Sequence, residues 1–336
     1  MEAILFLPIL ATILLSLIAI PKWIEKAKKF GFVGKNMNSY KHEPISEGGG
    51  LAVIFASITG ILIYVAIIKF YFQSDNEIIY LFATIISLLL LAFLGLVDGT
   101  LGWKIGLSKR FRILFCCFAA IPLIVINSGV STIYLPWIGK VSLGLIYPFL
   151  LVPLAIVGTS TTFNFLAGFN GLEAGQGIII LSFLSFIAYR TNNSWLAIIW
   201  LIIISSLIVF YFFNKYPAKV FPGDVLTYPL GGMIGIMAIL GNFERIALFI
   251  FIPYIIEVIL KIKGGLQKQS FGIPDKNNNL SMPYDKIYGL THLSIFILSK
   301  FKKEVKEKDV TYFIFSFQII ICILALIIFR KTIFNY

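Results

Sequence analysis

The sequence predicts an all-α polytopic membrane protein, and two observations carry this prediction. Of the 336 residues, 59% are hydrophobic and only 13% are charged, whereas a soluble domain has roughly a quarter charged residues. The hydrophobic residues form continuous runs, many of them close to the roughly 20 residues that a helix needs to cross a bilayer. Continuous runs favour helices over a barrel, whose strands alternate between apolar and polar residues.

Ten apolar runs meet this template, although the sixth and ninth are short and need their flanking residues. The predicted spans are 3–20, 49–69, 78–97, 111–127, 141–163, 176–190, 195–213, 225–240, 246–260 and 311–330. The first run has no positive charge before it and ends in Pro21-Lys22, so we expect a retained span and not a cleaved signal peptide.

The basic residues predict the orientation of these spans. The net charge is +12, and 22 of the 28 Lys and Arg residues lie in the odd-numbered connections between spans. Cytoplasmic connections are enriched in Lys and Arg, so both termini are expected outside. This scattering between apolar runs also argues against nucleic-acid binding, which needs basic residues along one face.

The chain 1–336 is therefore predicted to be a single integral membrane domain. Its one long polar segment, 261–310, is interpreted as a large cytoplasmic loop with an amphipathic helix from Ile287 to Phe301, or as a plain solvated connection. The three cysteines lie in apolar runs without a Cys or His pair at ligand spacing, which argues against a disulfide framework or a structural zinc site.

Four acidic residues stand at the cytoplasmic ends of predicted spans. These are Glu47, Asp98, Glu173 and Asp224, at spans two, three, six and eight. Ends on the same side of a membrane can converge on one site. By contrast, a transporter is expected to place polar residues near the midplane, and Glu257 is the one acid well inside a run.

Asp98 and Asp224 each have an ordinary structural alternative. Asp98 lies between Gly95 and Gly99, where a carboxylate can bind a cation or align a phosphate, or can simply be solvated at a helix end. Asp224 follows Pro222-Gly223 and can cap the next helix or bind a metal, with Lys215 and Lys219 nearby for phosphate.

The segment from Thr159 to Gly177 is rich in amides, hydroxyls and glycines and contains no basic residue. Such groups can coordinate Mg²⁺, bind a diphosphate or contact a uracil base, although Asn170-Gly171 can also form a simple turn between spans. A Gly-rich entry to span two, with Lys35 and Asn36 upstream, can bind phosphate, but its signal is weak alone. Together, these clusters predict Mg²⁺-assisted chemistry between a soluble nucleotide and a lipid phosphate.

The chain resembles the polyprenyl-phosphate N-acetylhexosamine-1-phosphate transferases, and in particular the branch acting on dolichyl phosphate in archaea and eukaryotes. The densest match is NFLAGFNGLEAGQ, Asn164 to Gln176. Supporting matches, in the family's order, are Gly34 to Asn36, Ser46 to Gly50, Phe93 to Asp98 and Tyr216 to Asp224.

The resemblance implies transfer of N-acetylglucosamine-1-phosphate from UDP-N-acetylglucosamine to a polyprenyl phosphate, with release of UMP. It implies Mg²⁺, or Mn²⁺ in its place, on Asn164 and Asp224, and lipid-phosphate alignment or deprotonation by Asp98. Further substrate contacts are implied for Lys35, Asn36, Glu47, Asn170, Gly171, Leu172, Glu173 and Lys219. A homodimer in the plasma membrane, or in the endoplasmic reticulum of a eukaryote, is compatible with this assignment.

The sequence departs from the family pattern at three places. Gly99 stands where a second acid usually follows Asp98, and Lys109, Arg110 and Arg112 compete for the family's catalytic basic position. A His/Arg-rich sugar-binding motif is not visible in 261–285. The alternatives are therefore a phospho-N-acetylmuramoyl-pentapeptide or O-antigen-initiating transferase and, from a different class, a secondary transporter.

Overall fold

The computed structural model describes residues 2–101, 106–135 and 139–334, and these form a predominantly helical membrane protein. The helices are α1 (Phe6–Lys29), α2 (Gly50–Ala66), α3 (Ile78–Thr100), α4 (Lys109–Val125), α5 (Val152–Phe163), α6 (Leu172–Arg190), α7 (Ser194–Asn214), α8 (Asp224–Gly241), α9 (Glu244–Ile250), α10 (Ile252–Lys263), α11 (Leu290–Phe301), α12 (Glu307–Ile328) and α13 (Arg330–Phe334). Three antiparallel hairpins connect them: β1 (Val33–Lys35) with β2 (Pro44–Ser46), β3 (Thr132–Leu135) with β4 (Gly139–Ser142), and β5 (Ile273–Pro274) with β6 (Leu280–Ser281).

Seven helical segments among the described residues are long and apolar enough to cross a membrane. They are Ala3–Lys29, Gly50–Tyr71, Ile78–Thr100, Leu172–Arg190, Ser194–Asn214, Asp224–Gly241 and Glu307–Ile328. The all-helical membrane architecture predicted from the apolar runs is thus confirmed, while the number of ten spans stays a prediction.

Two predicted spans differ from the structure. The run 141–163 begins as strand β4, and helical structure starts only at Tyr147, with a π-helical turn (Tyr147–Leu151) leading into α5. The run 246–260 is broken between α9 and α10, where Pro253 occupies the first turn of α10. Proline has no amide hydrogen to continue the preceding helix, so a new helix starts there.

Helix α8 lies at the centre of the bundle. Buried residues make up 94% of its apolar window, against 22% for that of α1. Close approach of α5 contributes to the burial of α8. A Cβ at Gly231 would lie 2.3 Å from the carbonyl oxygen of Thr159, and one at Gly235 would lie 2.7 Å from the Thr159 hydroxyl. The small-residue pair therefore lets α5 approach α8.

Helix α1 instead lies at the periphery. Leu7, Leu10, Leu14 and Leu17 are all about half exposed, and their spacing of three and four residues puts them on one face of the helix. An exposed apolar stripe of this kind suits contact with lipid acyl chains.

Candidate active site

Asp98, near the C-terminal end of α3, is held by the start of α4. Its carboxylate is only 3% exposed. Nε of Arg112 lies 2.8 Å from Oδ2, and Nη2 donates a hydrogen bond to Oδ1 at 3.0 Å. The backbone N–H of Leu107 also donates to Oδ1, at 2.8 Å. The guanidinium therefore faces both carboxylate oxygens, a geometry that fixes the orientation of each partner.

The structure also distinguishes the three competing basic residues. Arg112 reaches Asp98, whereas the side chains of Lys109 and Arg110 are exposed at the start of α4. Gly106, just before α4, lets its own backbone pass close to the carboxylate, because a Cβ on this residue would lie 2.5 Å from Asp98 Oδ1.

Asp224, the first residue of α8, lies beside α3. A Cβ on Gly95 would stand 2.1 Å from the carbonyl oxygen of Asp224, so the two backbones touch at this glycine. One turn further along α8, the Tyr228 hydroxyl donates to Oδ2 of Asp98 at 3.4 Å. Asp224 also interacts electrostatically with Asp98, Arg112 and Glu47.

Asn164, at the C-terminal end of α5, joins the same cluster. Its Oδ1 accepts a hydrogen bond from the Thr227 hydroxyl of α8 at 3.2 Å. The close α5–α8 packing described above brings this amide to the N-terminus of α8. Asp98, Asp224 and Asn164 thus come together from three helices, and the two aspartates stand at span ends that are predicted to lie on the same side of the membrane.

The donor set consists of oxygen atoms, which suits Mg²⁺ better than metals that prefer His or Cys ligands. Among the described residues there is no group of three or more His, Cys, Asp or Glu side chains that could hold a metal by itself. Mg²⁺ prefers oxygen ligands, keeps several waters and commonly uses one or two carboxylates together with substrate phosphates. The Asp224 carboxylate and the Asn164 amide oxygen suit that mode of binding.

Glu47 lies three residues before the start of α2 and interacts electrostatically with Asp224. A Cβ on Gly34 would lie 2.1 Å from Oε2 of Glu47, so the carboxylate rests on the backbone of β1. Burial raises the pKa of Glu47 above its ordinary value. The connection before α8 is attached here too: the N–H of Gly49 donates to the Phe221 carbonyl at 2.9 Å, and the N–H of Phe221 donates to the Ser46 carbonyl at 2.7 Å.

The remaining residues expected near phosphate have different surroundings. The side chains of Lys35 and Lys219 are exposed. Asn36 is buried, and its Oδ1 accepts a hydrogen bond from the N–H of Asn38 at 3.2 Å, so this amide shapes the turn after β1. Substrate contact by Lys35, Asn36 and Lys219 stays a prediction.

The loop between α5 and α6 is braced by its own acid. Oε1 of Glu173 accepts the N–H of Gly168 at 2.8 Å, and Gly168 and Gly171 have φ angles of +103° and +79°, which favour glycine. Leu172 is fully buried. The side-chain nitrogen of Asn170 is buried and has no partner among the described residues. Asn170 therefore offers a buried amide donor to a ligand, whereas Glu173 supports the loop through Oε1 while its Oε2 is likewise buried and without a partner among the described residues.

Three further residues at this loop were not predicted. Glu307 and Asn38 hydrogen bond to it, and the Phe271 ring packs on Gly168, where a Cβ would lie 2.6 Å from the ring. Glu307 stands in the charged run 300–309, and Asn38 stands in a polar turn. Nothing in the local pattern separates them from ordinary solvated residues.

Comparison with known proteins agrees with this geometry. The family model described as glycosyl transferase family 4 matches residues 78–242, which include Asp98, Asn164 and Asp224. The chain is 36% identical to a Saccharolobus solfataricus protein provisionally named UDP-N-acetylglucosamine–dolichyl-phosphate N-acetylglucosaminephosphotransferase, over 98% of each chain.

Two more distant relatives carry related names. A Dictyostelium discoideum UDP-N-acetylglucosamine–dolichyl-phosphate N-acetylglucosaminephosphotransferase is 27% identical over 76% of this chain and 69% of its own. A Clostridium beijerinckii phospho-N-acetylmuramoyl-pentapeptide-transferase is 28% identical over 80% of this chain and 83% of its own. Because the match to the S. solfataricus protein is both strong and end to end, the chain belongs to glycosyl transferase family 4, as its resemblance to polyprenyl-phosphate sugar-phosphate transferases predicts.

Proposed function

We propose that this protein transfers N-acetylglucosamine-1-phosphate from UDP-N-acetylglucosamine to a polyprenyl phosphate such as dolichyl phosphate, releasing UMP. This reaction would be the first membrane step in assembling a lipid-linked glycan for protein glycosylation. The observation that carries the proposal is the convergence of Asp98, Asp224 and Asn164 beside Arg112. The names of its end-to-end relatives supply the substrate pair.

The chemistry is a displacement at the sugar-bearing phosphorus. An oxygen of the lipid phosphate forms a bond to that phosphorus, while the bond to the departing UMP oxygen breaks. Asp98, with its orientation fixed by Arg112, would align the lipid phosphate or accept its proton. Gly99 provides no second acid here, but an ionised phosphate monoester can act as its own nucleophile.

Asn164 and Asp224 would hold Mg²⁺, for which Mn²⁺ could substitute. When bound, the ion would neutralise the diphosphate and the charge that spreads over the phosphoryl oxygens during transfer. Its presence would also offset the repulsion between two anionic substrates and a site that contains Asp98, Asp224 and Glu47.

The α5–α6 loop would hold the nucleotide. The unpartnered amide nitrogen of Asn170 supports this role, because a buried donor without a partner is costly unless a ligand satisfies it. Gly171 lets the backbone turn at this point, and Glu173 keeps the loop in shape. The excess of basic residues in the odd-numbered connections supports a site on the cytoplasmic face, and the plasma membrane is the proposed location.

The released nucleotide tests the proposal. Purified protein is incubated with UDP-N-acetylglucosamine, polyprenyl phosphate and Mg²⁺, and the products are separated by chromatography. UMP is the expected product, whereas UDP would indicate simple glycosyl transfer. Turnover only with UDP-N-acetylmuramoyl-pentapeptide would favour the alternative named for the Clostridium relative, and no turnover with any UDP-sugar would exclude the enzyme class.

Asp224→Asn tests the proposed metal site. The substitution keeps the shape of the side chain but removes its charge, so we expect activity to fall at least about 100-fold while the thermal unfolding temperature in detergent stays unchanged. Asp75→Asn is the matched control, because Asp75 is exposed and pairs with Lys69 away from the site. Full activity of Asp224→Asn would remove this residue from the metal site.

A further inference from the structure

A buried carboxylate at the start of the last long helix reaches the α5–α6 loop. Glu307, the first residue of α12, is 2% exposed. Its Oε1 accepts two hydrogen bonds, from the backbone N–H of Asn170 at 2.7 Å and from Nδ2 of Asn38 at 3.2 Å. One oxygen thus joins the loop to the turn that follows β1.

Asn38 extends this connection to two further backbone groups. Its Nδ2 also donates to the carbonyl oxygen of Gly168 at 2.9 Å, and its Oδ1 accepts the N–H of Gly272 at 3.2 Å. Asn38 is itself only 2% exposed. We call Asn38 and Glu307, with these four bonds, the Asn38–Glu307 junction. It joins the β1–β2 turn, the α5–α6 loop, the long loop 264–289 and α12.

The capping of α12 does not account for Glu307. The helix start is already closed by Asp309, whose carboxylate accepts the N–H of Lys306 at 2.9 Å and also pairs with Lys302. Burying a carboxylate is costly unless hydrogen bonds compensate it, and both described bonds of the Glu307 side chain leave its own helix. Within α12 itself, the cost of burying Glu307 is lowered only by its place as the first residue, where the helix dipole favours an anion.

We propose that Glu307, which bonds the Asn170 N–H directly and reaches Gly168 through Asn38, is a positioning residue that holds the Gly168–Asn170 turn in its nucleotide-binding conformation. This inference rests on the proposed function, since it assigns the turn to the nucleotide. The junction contacts neither Asp98 nor Arg112 among its described bonds, so it sets the affinity for the UDP-sugar and leaves the transfer step intact.

The steady-state test compares Glu307→Ala with Glu307→Gln. Alanine removes the acceptor of both bonds, so the KM for UDP-N-acetylglucosamine should rise about 10-fold or more, with kcat within about 3-fold of wild type and the KM for polyprenyl phosphate unchanged. Glutamine keeps one oxygen in place for both donors and should restore the KM to within about 3-fold of wild type.

Gln318→Met is the matched control on the same helix. Gln318 is buried and donates to the Ile250 carbonyl at 2.9 Å, away from the loop. This variant should lower thermal stability without changing the KM for the nucleotide substrate. An equal rise of KM in Gln318→Met, an unchanged KM in Glu307→Ala or a Glu307→Gln variant as weak as Glu307→Ala would overturn the proposal.

Two measurements without turnover separate this inference from the proposed function. Titration with UMP should show about 10-fold weaker binding to Glu307→Ala than to wild type. Hydrogen exchange of the Asn170 backbone N–H should be faster in nucleotide-free Glu307→Ala than in nucleotide-free wild type. If the wild type releases no UMP but both changes occur, the proposed reaction fails and the positioning role stands. If Glu307→Ala does not fold, Asn38→Ala removes three of the four bonds of the junction and leaves the bond between the Asn170 N–H and Glu307, and unchanged UMP affinity in that variant would refute the role.

Discussion

At the scale of single residues, the pairing of Asp98 with Arg112 determines what the site can hold. Arginine presents several donors in a rigid plane, so it can engage both oxygens of one carboxylate while free donors remain for a phosphate. Here the guanidinium reaches Oδ1 and Oδ2 together and keeps a half-buried position. The pair therefore presents an oriented acid next to a cation, which suits a substrate with an ionised phosphate.

We predict that Arg112→Lys lowers kcat by about 10-fold or more while stability changes little. Lysine keeps the charge but donates from a single point, so the carboxylate of Asp98 loses its fixed orientation. The measurement is UMP release at saturating substrates, together with the thermal unfolding temperature. Arg110→Lys is the control, since Arg110 is exposed on the same turn of α4; equal losses in both variants would contradict the prediction.

Side-chain direction limits what could be predicted at this scale. The residue types at Asp98, Asn164 and Asp224 suggest metal and phosphate chemistry, and their helix-end positions suggest convergence. Glu173 has the same chemistry and the same kind of position, yet its Oε1 is occupied by the N–H of Gly168. The spacing of residues along the chain does not say whether a carboxylate faces the substrate or its own loop.

At the scale of elements, the contact between α3 and α8 sets the distance between the two aspartates. Gly95 permits the backbones to touch, and one turn of α3 separates this glycine from Asp98. Any side chain at position 95 must push α8 away or distort its first turn, which begins with Asp224. The glycine is thus a structural requirement of the site, although it carries no chemistry.

We predict that Gly95→Ala destabilises the protein by about 1–3 kcal/mol and abolishes most activity, since its Cβ would overlap the Asp224 backbone. Gly99→Ala is the control one turn later, because no described atom lies within 4 Å of a Cβ there. Thermal unfolding and UMP release are compared in the two variants. A Gly95→Ala protein with normal activity would show that α3 and α8 can separate without harm.

The two predicted spans that differ from the structure do so for separate physical reasons. Hydropathy measures how apolar a segment is, and both a strand and a helix can be apolar, so the run from 141 conceals the β4 strand ahead of the π-helical turn. In the run from 246, Pro253 divides the segment into α9 and α10. The runs that became α3, α7 and α8 contain neither a strand nor a helix break, although α8 includes Pro229, and their predicted positions match the structure closely.

At the scale of the whole molecule, the distribution of basic residues predicts which face of the membrane carries the site. The predicted connection 261–310 holds ten Lys and Arg residues, whereas the connection after α2 holds Lys69 alone. Lys69 pairs there with Asp75 at 2.7 Å. The segments around Glu47, Asp98 and Asp224 are on the basic-rich side by this count, which is the side expected to face the cytoplasm.

We predict opposite accessibility for cysteines introduced at Asn76 and Lys303. In intact cells, an impermeant maleimide should label Asn76→Cys, while Lys303→Cys should react only after the membrane is opened, because connections rich in Lys and Arg stay in the cytoplasm. Of the three free native cysteines, Cys116 and Cys322 are buried, and Cys117→Ser removes the partly exposed one from the labelling background. Labelling of Lys303→Cys in intact cells would reverse the proposed orientation.

The Asn38–Glu307 junction also has a consequence for how the protein is made. Its two side chains are separated by 269 residues, and at ordinary translation rates of about 5–20 residues per second the ribosome needs roughly tens of seconds to go from one to the other. During that interval Asp98, Asn164 and Asp224 can already be inserted in the membrane, but the α5–α6 loop lacks its hydrogen bond to Glu307. The nascent chain is thus expected to bind the UDP-sugar weakly until α12 is synthesised, and a premature stop before Glu307 should yield an inserted fragment with a weakened nucleotide affinity.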